Sequence, residues 1–523
     1  LVRNCGFLGF RDRLPVRETL SEDLPVTAEL PVAPDRPVPD ARARNWGARL
    51  LPGADPAAGA AAVFTRGQRL ALLALFVLLA MLRLPDVWRH GRLLGEEGAI
   101  FFAYAWHRSA ADALWRSFAS YLNLGANGAT LLLARLVQAG VMPLERAPYV
   151  TQAIATAFQA VPALLVLCGR GRWLANRWAV LGALLVMVVS PTVEEVFANT
   201  MHIGYHLALA AALIVALDVP AGRAGRLVCL ALLVLGPLCG PGAILVLPVF
   251  VLRWLVERNG ARFMQLLALA GGTMVQMLWF YSHSPMRSQL LDPVALANVL
   301  FLRLAVAPYL SAPVSMALGH AAFDAWRQGG WLWWLLSAGA IAWLGLLGWL
   351  ALSRRDAACW LIIAGLGVGV ASFGAGMLLI DPSQWFAVTS AERYNFLPMV
   401  LIGLGLVAVT MRGVALQRWL ATRLVVLTLI SGMLTFTIPA NAVGDGPEWR
   451  REVAAWHRDH DYRLRGWPGH WSIDLSDRSR PCSAVRADRD ILTDPAYCET
   501  SWVALVRGES RNGWGWMETD EAR

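Results

Sequence analysis

Apolar residues in this chain do not alternate with polar ones; they gather in long blocks separated by short stretches that carry arginine. Blocks near 68–85, 147–168, 178–197, 204–219, 263–282, 331–352, 357–380, 395–411 and 424–440 stand out. Each comes close to the roughly 20 apolar residues needed to cross about 30 Å of hydrocarbon. The stretch 226–254 is harder, being two shorter runs broken at Cys239-Gly240-Pro241-Gly242. Arg223 and Arg226 precede it and Arg253 and Arg258 close it, so both ends face one side and a tight helical hairpin is predicted. The pattern predicts an all-α polytopic membrane protein of roughly eleven transmembrane helices.

The rest of the chain divides around these blocks. Residues 1–65 are proline-rich, mixed in charge and without period, which predicts a disordered cytoplasmic tail. The first residue is Leu1, so an incomplete chain or a non-standard start codon is expected. Residues 66–440 form the transmembrane domain, with a long first external loop over 86–146, and 441–523 form a small extracytoplasmic C-terminal domain. Orientation follows from arginine in the short loops. With the N-terminus inside, the cytoplasmic loops hold thirteen, against four outside (Arg287, Arg303, Arg327 and Arg393). Parity then puts the C-terminus outside.

Composition agrees. The 523 residues are 57% hydrophobic and only 16% charged, where a soluble protein carries about 25% charged residues. All 46 basic residues are arginine. Without lysine there is no Walker-type phosphate loop and no Schiff-base chemistry. The net charge of +9 does not imply nucleic acid, because the arginines cluster between apolar segments. Membrane lipids are the expected surroundings. Cys168, Cys229, Cys239 and Cys359 lie in or beside spans, where buried thiols are ordinary packing. Cys482 and Cys498 are the pair in the external region and are expected to form a disulfide, worth about 3 kcal/mol in the loop-entropy view. Trp449, Trp456, Trp467, Trp471, Trp502, Trp514 and Trp516 concentrate in the same region, and a core fits them better than sugar stacking.

Candidate chemistry starts just after the first block, at Gly95-Glu96-Glu97-Gly98. An amphipathic helix is predicted next, with Ile100, Tyr104, Ala111, Leu114, Trp115, Phe118 and Leu122 on one face. Arg108, Asp112, Arg116 and Ser120 share the other. Such a helix lies in the membrane interface. The run 129–142, too short to cross and interrupted by Arg135, belongs to the same external layer.

An acidic pair followed by interfacial helices in the first external loop of a polytopic protein resembles the C-type (GT-C) glycosyltransferases. The resemblance covers the architecture of 68–523, but its specific motif is Glu96-Glu97, where members of that superfamily often have an aspartate. It implies a sugar moved from a polyprenyl-phosphate carrier to an envelope glycan, lipid or protein, in a bacterial cytoplasmic (inner) membrane. It also implies an external arginine that holds the carrier phosphate, a role open to Arg393 beside Tyr394, and more weakly to Arg287 and Arg303. One of the two glutamates would act as general base or hold a divalent cation, Mg or Mn. Mutual repulsion raises one carboxyl pKa, whereas the following helix N-terminus opposes this. Glu97 is the favoured base because it adjoins the helix.

Asn199, His202 and His206 cluster at the external end of two neighbouring spans, just after Glu194 and Glu195. Polar lining of a substrate cavity suits them better than zinc, since neither HExxH nor a third ligand accompanies them. A transporter or flippase of lipid-linked saccharides is the alternative function. It would show internal repeats and ionisable residues at the midplane, and only the Gly-Pro break at 240–242 points that way. A non-catalytic envelope assembly protein is the third. Topology is directly testable: reporter fusions after Asn441 are expected to be active only in the external form, and a cytoplasmic signal there would overturn the parity argument.

Overall fold

The computed structural model describes residues 63–476 apart from 119–120, 192–193, 283–288, 353–355, 378–380, 438–445, 447 and 468–470. The predicted tail over 1–62, Arg287, the Cys482 and Cys498 pair, and Trp502, Trp514 and Trp516 lie outside the described residues.

The described chain is almost wholly helical. It opens with α1 (Arg66–Leu82), whose Thr65 side chain accepts from the Gln68 amide while Gln68 answers in a capping box. The first loop follows, with a π-helix Glu97–Phe102, then α2 (Ala103–His107) and α3 (Ala110–Leu114). A two-residue ladder of β1 (Ser117–Phe118) and β2 (Tyr121–Leu122) comes next, then α4 (Leu124–Gln138). The bundle comprises α5 (Ala147–Cys168), α6 (Arg177–Val189), α7 (Ile203–Ala216), α8 (Arg223–Leu238), α9 (Leu247–Glu257) and α10 (Gly260–Ser282). It continues through α11 (Pro293–Phe301), α12 (Ala312–Gln328), α13 (Trp331–Leu352), α14 (Ala357–Ala371), α15 (Arg393–Arg412) and α16 (Ala415–Leu434). Then α17 (Trp449–Arg458) precedes an antiparallel pair, β3 (Leu464–Arg465) and β4 (Ser472–Ile473).

Each of the nine apolar blocks carries a helix, but the eleven spans are not shown. Among the described residues four helices are long and apolar enough to cross a membrane: Leu144–Cys168, Trp331–Leu352, Ala357–Gly376 and Arg393–Arg412. A fifth arises if α8 and the segment Pro241–Glu257 count as one span, bent by 118° at the predicted break. The others fall short for physical reasons. At 1.5 Å per residue the 13 residues of α6 reach only about 20 Å, and α16 carries Arg418 and Arg423. The protein is nonetheless a multi-pass membrane protein by its long apolar helices.

The bundle closes on α14 and α15, where small residues let backbones approach, the usual device where lipid supplies no hydrophobic drive between helices. A Cβ on Gly365 would stand 2.9 Å from Ile402 Cγ1 and 3.1 Å from the Pro398 carbonyl.

The predicted interfacial helix is not continuous. Arg108 takes extended φ and ψ, and Ser109 starts a new helix by accepting from the Asp112 amide. That helix ends at Trp115, and the antiparallel β1–β2 pair takes over. The wheel is consequently inverted at its end: Trp115 is 49% exposed, whereas Arg116 is buried and donates to the Ile100 carbonyl at 2.9 Å. Helix α4 does belong to the loop layer. Its Leu133 and Ala134 share one apolar cluster with Leu93, Phe102, Trp449, Val453 and Ile473. The C-terminal residues therefore pack on the first loop, so the two lie on one side of the bundle, and Trp449, Trp467 and Trp471 are buried core as expected.

Widening the α14–α15 contact is expected to be costly. Gly365→Leu should lower the thermal midpoint of the detergent-extracted protein by several degrees, an overpacking cost of about 1–3 kcal/mol; an unchanged midpoint would mean that this crossing is not tight.

Candidate active site

The acidic pair sits on a short segment held from three directions. Gly95 takes φ +42°, a left-handed value that glycine adopts without strain. The Glu97 amide donates to the Leu94 carbonyl at 2.9 Å, and the π-helix starts there. Gly98 leaves room for β4, since a Cβ would come within 2.6 Å of Ile473 Cδ1. The two glycines that flank the pair thus have separate causes, a backbone turn and a close approach.

Glu97 has no exposure to solvent. The Thr200 amide donates to its Oε1 at 3.2 Å, and the Thr200 hydroxyl donates to the same oxygen. Its Oε2 has no hydrogen-bond partner among the described residues. Thr151 is near enough to favour the carboxylate but donates its hydroxyl to the Pro148 carbonyl at 3.1 Å. Burial outweighs these donors and pushes the Glu97 carboxyl up to about 7.

Glu96 is half-buried. Burial raises its pKa; its own backbone amide and the Arg393 guanidinium oppose this, and Glu195 adds to it. Repulsion between the two glutamates, the expected cause, is replaced by loss of water.

Arg393, at the head of α15, donates from Nη1 to Glu195 Oε2 at 2.7 Å, and both side chains are mostly buried. The turn that carries Glu195 is built by the residues singled out after it. His202 Nδ1 bonds the Glu195 carbonyl at 2.5 Å, and His206 Nε2 bonds the Val196 carbonyl at 3.0 Å. Each contacted ring nitrogen therefore carries the proton. Asn199 accepts from the Met201 amide at 3.0 Å and reaches back to the Glu195 carbonyl at 3.5 Å. All three bond the turn that carries Glu195. Tyr394 donates to the Gly376 carbonyl at 3.2 Å. Tyr121, Tyr205 and Tyr394 remain partly exposed, and Tyr205 senses Arg393, Glu195 and both other tyrosines.

The structure thus brings Glu96, Glu97, Asn199, His202, His206, Arg393 and Tyr394 to one junction between loop and bundle. Arg303 is not available for a carrier phosphate. It is wholly buried, and its guanidinium donates to the carbonyls of Gln384, Trp385, Ala387 and Ser390 and to Asn395 Oδ1 at 2.6–3.2 Å. Those bonds fasten the segment that leads into Arg393. The partnerships of Glu195 and Thr200 carry no signal in the sequence, because nothing in its spacing links positions near 200 with position 97 or 393.

The donor set does not assemble a cation site. Glu97 faces inward to Thr200, Glu195 is committed to Arg393, and among the described residues no three His, Cys, Asp or Glu side chains gather as ligands. No family model matches this chain, and it has no significant match among curated proteins or solved structures.

The burial of Glu97 has a measurable sign. Folding raises its pKa from 4.5 to about 7, so the folded protein holds the proton more tightly than the unfolded chain. The resulting stabilisation is complete below the lower value and lost as pH rises through the upper one, amounting to a few kcal/mol at about 1.4 kcal/mol per tenfold preference. The thermal midpoint should fall between about pH 5 and pH 8, and Glu97→Gln should flatten that slope. An equally steep slope in the variant would assign it elsewhere.

Proposed function

We propose that this protein is an integral membrane glycosyltransferase of the C-type, moving a sugar from a polyprenyl-phosphate carrier to an envelope acceptor. One observation carries the reading: a half-buried carboxylate, Glu96, lies within electrostatic reach of the Glu195–Arg393 pair at the junction of the first loop and the bundle. The chemistry needs a base for the acceptor hydroxyl and a cation near the leaving phosphate. Glu96 supplies the first, with a pKa raised by burial. Arg393 supplies the second, in the planar form suited to phosphate oxygens. Glu97 takes a different part from the one expected of it, as the anchor that ties the loop to Thr200.

Under this reading Glu195 holds Arg393 in place while the site is empty. An incoming phosphate would compete for the same guanidinium, leaving Glu195 near the transferred sugar. The bent pair at Leu238 and Pro241 favours the second reading, a flippase, since discontinuous helices are a transporter feature.

The test is transfer by purified protein from a radiolabelled polyprenyl-phosphate sugar to short glycan or lipid acceptors in proteoliposomes. Glu96→Gln is expected to lower the rate 10²–10⁴-fold, the usual loss for a general base, with the protein still inserted and its midpoint unchanged. Full activity in the double variant Glu96→Gln, Glu97→Gln would remove the residue-level support. Label that crosses the bilayer while still on its carrier would replace the enzyme with the flippase.

A further inference from the structure

The two carboxylates are bracketed by one distant element. Just before the pair, the Trp467 amide donates to the Leu93 carbonyl at 3.1 Å, and the Gly95 amide donates to the Trp467 carbonyl at 2.5 Å. These two bonds make a parallel bridge at Leu94. The Arg92 guanidinium stacks on the Trp467 ring, 3.2 Å from its centroid. Just after the pair, Ile473 fills the space left by Gly98, and Trp471 packs with Ile100 and Phe101. Beside the C-terminal pair of strands, the Gly466 amide donates to the Trp471 carbonyl at 2.7 Å, so both contact points belong to one hydrogen-bonded unit. That unit touches the segment on both sides of the acidic pair.

We propose that Trp467 is a positioning residue, through which the C-terminal β3–β4 unit sets the place of Glu96 and Glu97 relative to Thr200 and Arg393. The proposal rests on the reading of the junction as a transferase site. The bundle alone fixes only the partners of the pair. The loop segment carries glycine at positions 91, 95 and 98, so even with Glu97 tied to Thr200 its backbone has more conformations without an outside clamp, some of which take Glu96 off the Arg393 side. A misplacement of about 1 Å is enough to cost roughly 10²-fold in rate. The β3–β4 unit supplies two backbone bonds, a cation–π stack and an apolar plug at the two ends of a four-residue stretch from Gly95 to Gly98.

The full-length protein tests this in two readouts. Hydrogen exchange in Trp467→Ala is expected to be at least about tenfold faster over residues 91–102 and unchanged over 203–216, as for a local opening. Sugar transfer should fall at least about tenfold in kcat with KM for the carrier unchanged, and Trp467→Phe, which keeps an aromatic face for Arg92, should restore both. Ile473→Ala removes the second contact and should repeat the pattern. Unchanged exchange over 91–102 in both alanine variants would overturn the proposal, as would faster exchange spread evenly through the bundle. If the wild-type protein transfers no sugar, the transferase reading fails, and the exchange data still decide whether the β3–β4 unit clamps the loop.

Discussion

A carboxyl group with no contact with water must either give up its charge or find donors for it. Glu97 is in that position, and Thr200 provides the donors. Much of the junction follows from this. Thr200 is placed by the turn before it, which His202, His206 and Asn199 bond at the Glu195 and Val196 carbonyls. The same turn presents Glu195 to Arg393, and the approach to Arg393 is tied down by the buried Arg303. A polar chain thus runs from the first loop to the heads of α7 and α15, each link having a buried partner that would be left unsatisfied without it.

This network does not supply the stability of the bundle. A buried ion pair such as Glu195–Arg393 returns little beyond its desolvation cost. The apolar clusters and the close crossing at Gly365 hold the helices together. What the polar links contribute is register: helices greasy on all sides slide and rotate at small cost, whereas a misplaced α7 or α15 would strand Glu97, Arg303 or Arg393 without partners. Apolar packing sets that the helices meet, and the polar chain sets where.

The apolar blocks were legible because length and composition alone mark them; Trp331–Leu352 falls where expected to the residue. The break at Gly240 was legible from Gly and Pro. The interfacial helix was not, since its wheel treats 100–122 as one period, while Ser109 caps a new helix and Tyr121 pairs back on Phe118. The individual site residues could be named because charged and imidazole side chains beside apolar blocks are conspicuous. Their partnerships could not. Thr200 is inconspicuous in any sequence, and Arg303 looks the same whether it awaits a phosphate or fastens four carbonyls. Only the folded backbone separates these cases.

The division of labour between the adjacent glutamates follows from helical geometry. Glu96 has φ −62° and ψ −27°, already helical, and Glu97 begins the π-helix. Consecutive residues on a helix point about 100° apart, so neighbours in sequence cannot address one target. Once Glu97 turns inward to Thr200, Glu96 must leave that direction. It emerges on the side where Arg393 and Glu195 act on it. A single carboxylate could not both bond Thr200 and face Arg393 and Glu195. Two in succession can, and the anchor then holds the other in place, because they share one peptide bond.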